Sequence, residues 1–144
     1  MSLDVLLVED NPGDVRLTQE AFRAADQAIH LHVAADGLEA MDFLRREGNH
    51  SRAPRPALIL LDLGLPGMDG HEVLARIKTD DDLKMIPTVI LSTNQAEADI
   101  DTSYQLHANC YLAKPVLADD LDRIISRINN FWLRNLPSHT TAVN

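Results

Sequence analysis

ALILLDLGLPGMDG, residues 57–70, decides the fold. Ala57 to Leu61 is apolar at every position and bounded by Pro56 and Asp62. A short run of that kind reads as a strand buried on both faces, the signature of a central strand in a parallel sheet. Asp62 opens a loop rich in Gly, Pro and Asp. His71 to Lys78 follows, with Val73, Leu74 and Ile77 at helical spacing. A two-face strand leading into an amphipathic helix needs further strand–helix pairs beside it.

The flanking sequence supplies them. Leu3 to Val8 (LDVLLV) reads as a strand ended by Glu9-Asp10-Asn11-Pro12-Gly13. The spacing predicts a helix over 14–25 with Val15, Leu17, Ala21, Phe22 and Ala25 as its inner face. Ile29 to Ala34 (IHLHVA) alternates as a strand, and 37–47 is helical with Leu38, Met41, Phe43 and Leu44 inward. Residues 48–56 (GNHSRAPRP) form a polar, basic loop. Downstream, 87–91 (PTVIL) and 109–113 (NCYLA) read as strands, 95–107 as a weak helix, and 116–136 as a long helix. In that last helix Leu117, Leu121, Ile124 and Ile128 should face the sheet. The expected fold is α/β: a (βα)5 doubly wound five-stranded parallel sheet.

Composition narrows the function classes. The 144 residues are 45% hydrophobic, enough for an ordinary core, and fit one domain over 1–136 with 137–144 as a disordered tail. A formal net charge of −9 argues against general nucleic-acid binding, which depends on Lys and Arg, and suits a cation or a basic partner. Cys110 stands alone, so no internal disulfide is expected. Without a basic leader or a cleavage-site pattern, the expected location is the cytoplasm. The longest apolar runs fall far short of the ~20 residues that span a bilayer.

In doubly wound sheets ligands bind beyond the carboxyl ends of the strands, where the strand order reverses. The loops there begin at Glu9-Asp10, Asp36, Asp62, Ser92-Thr93 and Lys114-Pro115. Glu9, Asp10 and Asp62 are hard oxygen ligands, and clustered carboxylates repel unless a cation joins them. Mg²⁺ fits such a set, with Mn²⁺ as the alternative ion. Lys114 adds a second positive charge, and Ser92 can donate a hydrogen bond to a phosphoryl oxygen. The chemistry this permits is phosphoryl transfer onto a carboxylate, with Asp62 as nucleophile. Singly, each motif has a plainer reading: a turn at Glu9-Asp10, a cap at Asp62, a surface lysine at 114. Their joint position at successive strand ends favours the site.

The set Glu9-Asp10, Asp62, Ser92 and Lys114-Pro115 resembles the receiver domain of two-component response regulators, the CheY-like receiver fold. The resemblance covers about Leu3 to Arg134 through VEDNPGD (8–14), LLDLGLPGMDG (60–70), PTVILST (87–93) and CYLAKP (110–115). It implies that Glu9 and Asp10 bind Mg²⁺, that Asp62 is the phosphoacceptor, and that the Gly64 backbone carbonyl is the third protein ligand of the metal. It further implies that Lys114 contacts the phosphoryl group, and that Ser92 and Tyr111 form the hydroxyl and aromatic switch pair. The long 48–56 loop, PTVILST and the lack of a following effector domain resemble the single-domain regulators paired with phytochrome-type histidine kinases. Gly64 departs from that subgroup, which often has Asn there. Asn94 is the other variable position near the acyl phosphate.

The resemblance implies a sensor histidine kinase, of bacteriophytochrome type by the subgroup's pattern, as donor, and a downstream protein or phosphotransfer partner as output. Ile125, Phe131, Trp132 and Leu136 lie beside the inward line of the last helix and suggest a dimer surface, since receivers commonly pair through the last strand and its flanking helices. The histidines show no ligand spacing, and His30 and His32 are expected at the surface. Two other classes stand against this reading. One is a phosphorylation-independent interaction module, which would have no physical reason to keep an uncompensated acid cluster. The other is an Asp-nucleophile hydrolase, which would need a second acid where Gly64 stands. The expected protein is therefore not a turnover enzyme.

Overall fold

A computed structural model describes residues 3–25, 28–65, 67–92, 110–114 and 116–135. The elements are β1 (Leu3–Val8), α1 (Pro12–Ala24), β2 (Ile29–Ala34), α2 (Gly37–Arg45), a 3₁₀ turn (Gly48–His50), β3 (Leu58–Asp62), α3 (Gly70–Thr79), β4 (Thr88–Ser92), β5 (Cys110–Ala113) and α4 (Ala118–Asn135). The helix expected over 95–107 and the tail expected from 137 lie outside the described residues.

All four strand pairs are parallel, in the order β2-β1-β3-β4-β5. From β1 the chain crosses to β2 on one side and then returns to β3 on the other. The order therefore reverses between β1 and β3, where a ligand crevice belongs. Val8 pairs with Leu61, so Glu9 and Asp62 stand side by side at the carboxyl ends.

Each inner strand feeds both faces of the sheet. Leu6, Val8, Ile59, Leu61 and Ile90 pack against α2 and α3 through Met41, Phe43, Leu44, Val73, Leu74 and Ile77. Val5, Leu7, Leu58, Leu60, Val89 and Leu91 pack against α1 and α4 through Ala21, Phe22, Leu121 and Ile125. This explains why Leu58–Leu61 is apolar without alternation.

Three expected core residues are outside. Leu17 is 48% exposed, Leu38 66% and Leu117 60%. Helix α1 buries Thr18, Ala21 and Phe22, and Leu17 sits about 100° off that line. Helix α2 buries 37, 40, 41, 43 and 44, which leaves Leu38 to the side. Leu117 precedes the first residue of α4, so the stripe begins at Leu121. Ile125, expected at a dimer surface, is fully buried in the α1–α4 core. It cannot contact another molecule from there, because its turn faces the sheet together with Leu121 and Ile124. The side chains of Ile128, Phe131 and Trp132 lie outside the described residues.

His32 also differs from expectation. His30 is exposed, but His32 is half-buried, with Nε2 3.0 Å from Asp4 Oδ1 and its ring centroid 5.2 Å from that of Phe43. The carboxylate comes from the neighbouring strand, not from nearby sequence. The His50 ring centroid lies 5.5 Å from that of Phe43, and His50 Nε2 is 3.3 Å from Glu39 Oε2. The 48–56 loop is therefore tied to α2, and Arg55 bonds the Asp82 carbonyl at 2.8 Å.

Candidate functional site at the carboxyl ends of β1, β3 and β5

Glu9 and Asp62 are buried and Asp10 is exposed. One carboxylate oxygen from each lies within 4.8 Å of the other two. Lys114, directly after β5, reaches across the crevice. Its ammonium donates to Glu9 Oε1 and lies 3.0 Å from Asp14 Oδ2 and 3.3 Å from Asp62 Oδ1. Asp62 Oδ1 also accepts from the Gly64 N–H at 3.2 Å, and Glu9 Oε2 accepts from the Asn11 N–H at 3.3 Å. The acid cluster and lysine predicted from sequence are thus brought together. Gly64 is exposed at the rim. Ser92 ends β4, one residue past the Asp62–Leu91 pair, while its side chain lies outside the described residues. Tyr111 of β5 pairs with Ile90 of β4 and packs, partly buried, against the α2–α3 core.

Two contributors escaped the sequence reading. Asp14 belongs to the first turn of α1, where an acid is ordinary, yet its carboxylate is on Lys114. Gly70 starts α3 against the backbone of the strand end: an added Cβ would stand 2.5 Å from the Asp62 carbonyl oxygen and 2.6 Å from Leu63 Cα. The helix approaches that closely only because residue 70 has no side chain. No local sequence pattern distinguishes this glycine from the turn glycines around it.

Burial pushes Glu9 up to about 7 from an ordinary 4.5, and Asp62 beside it adds to the rise against the pull of the Lys114 hydrogen bond. Burial alone would lower Lys114, but its hydrogen bonds to Glu9 and Asp14 and the charges of Asp62 and Glu9 outweigh that and hold it well above the ordinary lysine value. Three acids on one ammonium, with Asp10 beside two of them, leave the crevice short of positive charge. An all-oxygen donor set with a proton-hungry buried carboxylate fits a small hard divalent cation.

A pH dependence follows. Glu9 holds its proton more tightly folded than unfolded, so its contribution to stability is complete below about 4.5 and is lost as pH rises through about 7. A bound cation displaces that proton, so Mg²⁺ should raise the melting temperature more above pH 7 than near pH 5. Equal Mg²⁺ shifts at both pH values in thermal melts would contradict this.

The family comparison agrees with the geometry. The Response regulator receiver domain profile matches residues 5–127. The chain belongs to the response regulator receiver family. Response regulator Rcp1 of Synechocystis sp. is 48% identical over 132 residues, 92% of this chain and 90% of Rcp1. A crystal structure of its Mn²⁺-bound form superposes with a TM-score of 0.75 at 47% identity, covering 94% of this chain and 97% of that one. The phosphorylated cyanobacterial phytochrome response regulator RcpA gives 0.77 at 47% identity, covering 95% and 98%. The bacteriophytochrome response regulator AtBRR gives 0.80 at 40% identity, covering 92% and 96%. Receivers are phosphoacceptors, not turnover enzymes, and the five-stranded parallel sheet with its acidic crevice is the receiver architecture. Among the described residues no helix is long and apolar enough to cross a membrane.

Proposed function

We propose that Asp62 is the phosphoacceptor of this receiver, that a phytochrome-type sensor histidine kinase is its donor, and that the phosphoryl group controls a protein-binding surface. The carrying observation is the position of Asp62: buried at the end of β3, its Oδ1 3.3 Å from the Lys114 ammonium and beside Glu9. The similarity to RcpA and AtBRR supports the phytochrome assignment.

An Asp62 carboxylate oxygen attacks phosphorus, the P–N bond to the donor imidazole breaks, and the imidazole leaves with the bonding electrons and takes up a proton. Negative charge stays on the phosphoryl oxygens, and catalysis is mainly their positioning and neutralisation. Glu9, Asp10, Asp62 and the Gly64 carbonyl would hold Mg²⁺, with Mn²⁺ as the alternative suggested by the Rcp1 structure; the ion supplies neutralising charge. Lys114 supplies the protein's own cation. The Ser92 hydroxyl donates to a phosphoryl oxygen, and Tyr111 moves inward as that hydroxyl is drawn over. Attack of water on the phosphoryl group of Asp62 resets the site. The phosphorylated surface passes the signal to a downstream protein or phosphotransfer partner. Phe131 and Trp132 are assigned to a homodimer surface, which sedimentation showing a monomer at high micromolar concentration would refute. The expected compartment is the cytoplasm.

Incubation with acetyl phosphate and Mg²⁺ should add the mass of one phosphoryl group to the intact protein. Asp62→Asn should abolish the adduct. No adduct on the wild-type chain, even with a phosphorylated kinase, would instead support a phosphorylation-independent module, and steady turnover of a phosphoester would support a hydrolase.

A further inference from the structure

We propose that Asp14 is a positioning residue for phosphoryl transfer, holding the Lys114 ammonium in place when the other two carboxylates change partners. This rests on the assignment of Asp62 above. Asn11 and Asp14 occupy the N-cap and third positions of α1, the two positions that close on each other in a capping box. Only half of it forms. The Asp14 N–H donates to Asn11 Oδ1 at 3.1 Å, but the Asn11 N–H goes to Glu9 Oε2 at 3.3 Å. The Asp14 carboxylate, released from the return bond, lies 3.0 Å from Lys114 Nζ, a residue 100 positions away in sequence.

The three carboxylates on Lys114 are not equivalent. Glu9 and Asp62 belong to the acidic trio whose oxygens lie within 4.8 Å of one another, and Asp14 does not. A cation drawn to the trio competes with Lys114 for Glu9 and Asp62, and phosphorylation converts the Asp62 carboxylate to an acyl phosphate. Of the three, Asp14 alone has neither role, so it can keep its hold on Lys114 throughout the cycle. It sits at the outer side of the crevice, its side chain one-third exposed against one-tenth for Lys114. From there it anchors Nζ on the α1 side, leaving the remaining ammonium protons to face the phosphoryl oxygens.

The test is a double-mutant cycle on phosphorylation by acetyl phosphate, comparing Asp14→Asn and Asp14→Glu in the wild-type and Lys114→Ala backgrounds. The rate constant should fall about ten-fold in Asp14→Asn, the usual scale for losing a group that orients a reacting one. Asp14→Glu should recover most of it. In the Lys114→Ala background Asp14→Asn should have no further effect. A wild-type rate in Asp14→Asn, or the same loss in both backgrounds, overturns the proposal, since a cap or helix-dipole effect would not depend on Lys114. The ¹⁵Nζ signal of the Lys114 ammonium, recorded with saturating Mg²⁺ so that the cation competes for Glu9 and Asp62, provides a readout without phosphorylation: a slowly exchanging signal retained in Asp14→Glu and lost in Asp14→Asn supports the holding role. Its persistence in Asp14→Asn refutes that role. If the wild-type chain takes up no phosphoryl group, the Asp62 assignment fails and this signal alone judges Asp14.

Discussion

Gly70→Ala should lower the melting temperature by roughly 6–10 °C, from about 2–3 kcal/mol of overpacking. The added methyl meets backbone at 2.5 Å and 2.6 Å, and no rotamer change relieves a clash with backbone. Either α3 moves off the strand end, loosening Val73, Leu74 and Ile77 in the core, or the end of β3 moves and takes Asp62 with it. Alanine's better helix propensity, at most about 1 kcal/mol, does not offset this. The phosphorylation rate should fall along with the stability, because residues 62 and 63 carry the clash. Gly64→Ala is the control. Its Cβ would meet only the Asp62 carboxylate oxygens at 3.9 Å, ordinary contact, and the expected change is within about 0.5 kcal/mol. Equal melting temperatures for the two variants would show that the close approach at Gly70 carries no cost.

Lys114→Ala should slow phosphorylation by about 10²–10³-fold, the loss expected when a positioned group that stabilises transition-state charge is removed. It should also destabilise the cation-free protein. Without the ammonium, buried Glu9 and Asp62 face each other uncompensated, and breaking one side of a buried ion pair costs about 3–5 kcal/mol. Protonation of Glu9, which burial already raises to about 7 with the lysine in place, limits that cost at and below neutral pH, so the loss is largest in alkaline buffer. Mg²⁺ should restore much of the melting temperature but not the rate, because the ion replaces the missing charge without replacing the lysine's contact with the phosphoryl oxygens. Lys114→Arg should not rescue the rate: a planar guanidinium does not fit where a compact ammonium meets three carboxylates. A wild-type rate in Lys114→Ala would remove the lysine from the mechanism.

The receiver architecture was legible because its strongest signals are short and local. A strand buried on both faces must be apolar at every position, and Ala57–Leu61 is. The parallel strand–helix order puts the loops after the strands at one edge, so Glu9, Asp10, Asp62 and Lys114 could be placed together before any contact was known. Leu17, Leu38 and Leu117 were misplaced for a related reason. Helical spacing says which residues share a face but not where that face or the helix itself ends: Leu17 and Leu38 lie to the side of the buried line, and Leu117 continues the line just before α4 begins. Ile125 shows the opposite error: it sits beside the inward line in projection, yet α4 is turned so that both Ile124 and Ile125 are buried.

Sequence alone determined the strand order's consequences: a parallel sheet, a carboxyl edge, and an acid cluster with one lysine at it. It could do so because periodicity and strand-end chemistry lie within a few residues of each other along the chain. Tertiary structure decided the pairings that span long separations. Asp14 meets Lys114 across 100 residues, His32 finds Asp4 on the neighbouring strand, and Gly70 touches the backbone at Asp62. An aspartate at a helix start, a histidine in a strand and a glycine in a turn each have an ordinary local reason to be there. Only the packing of α1 and α3 around the end of the sheet shows what else they hold.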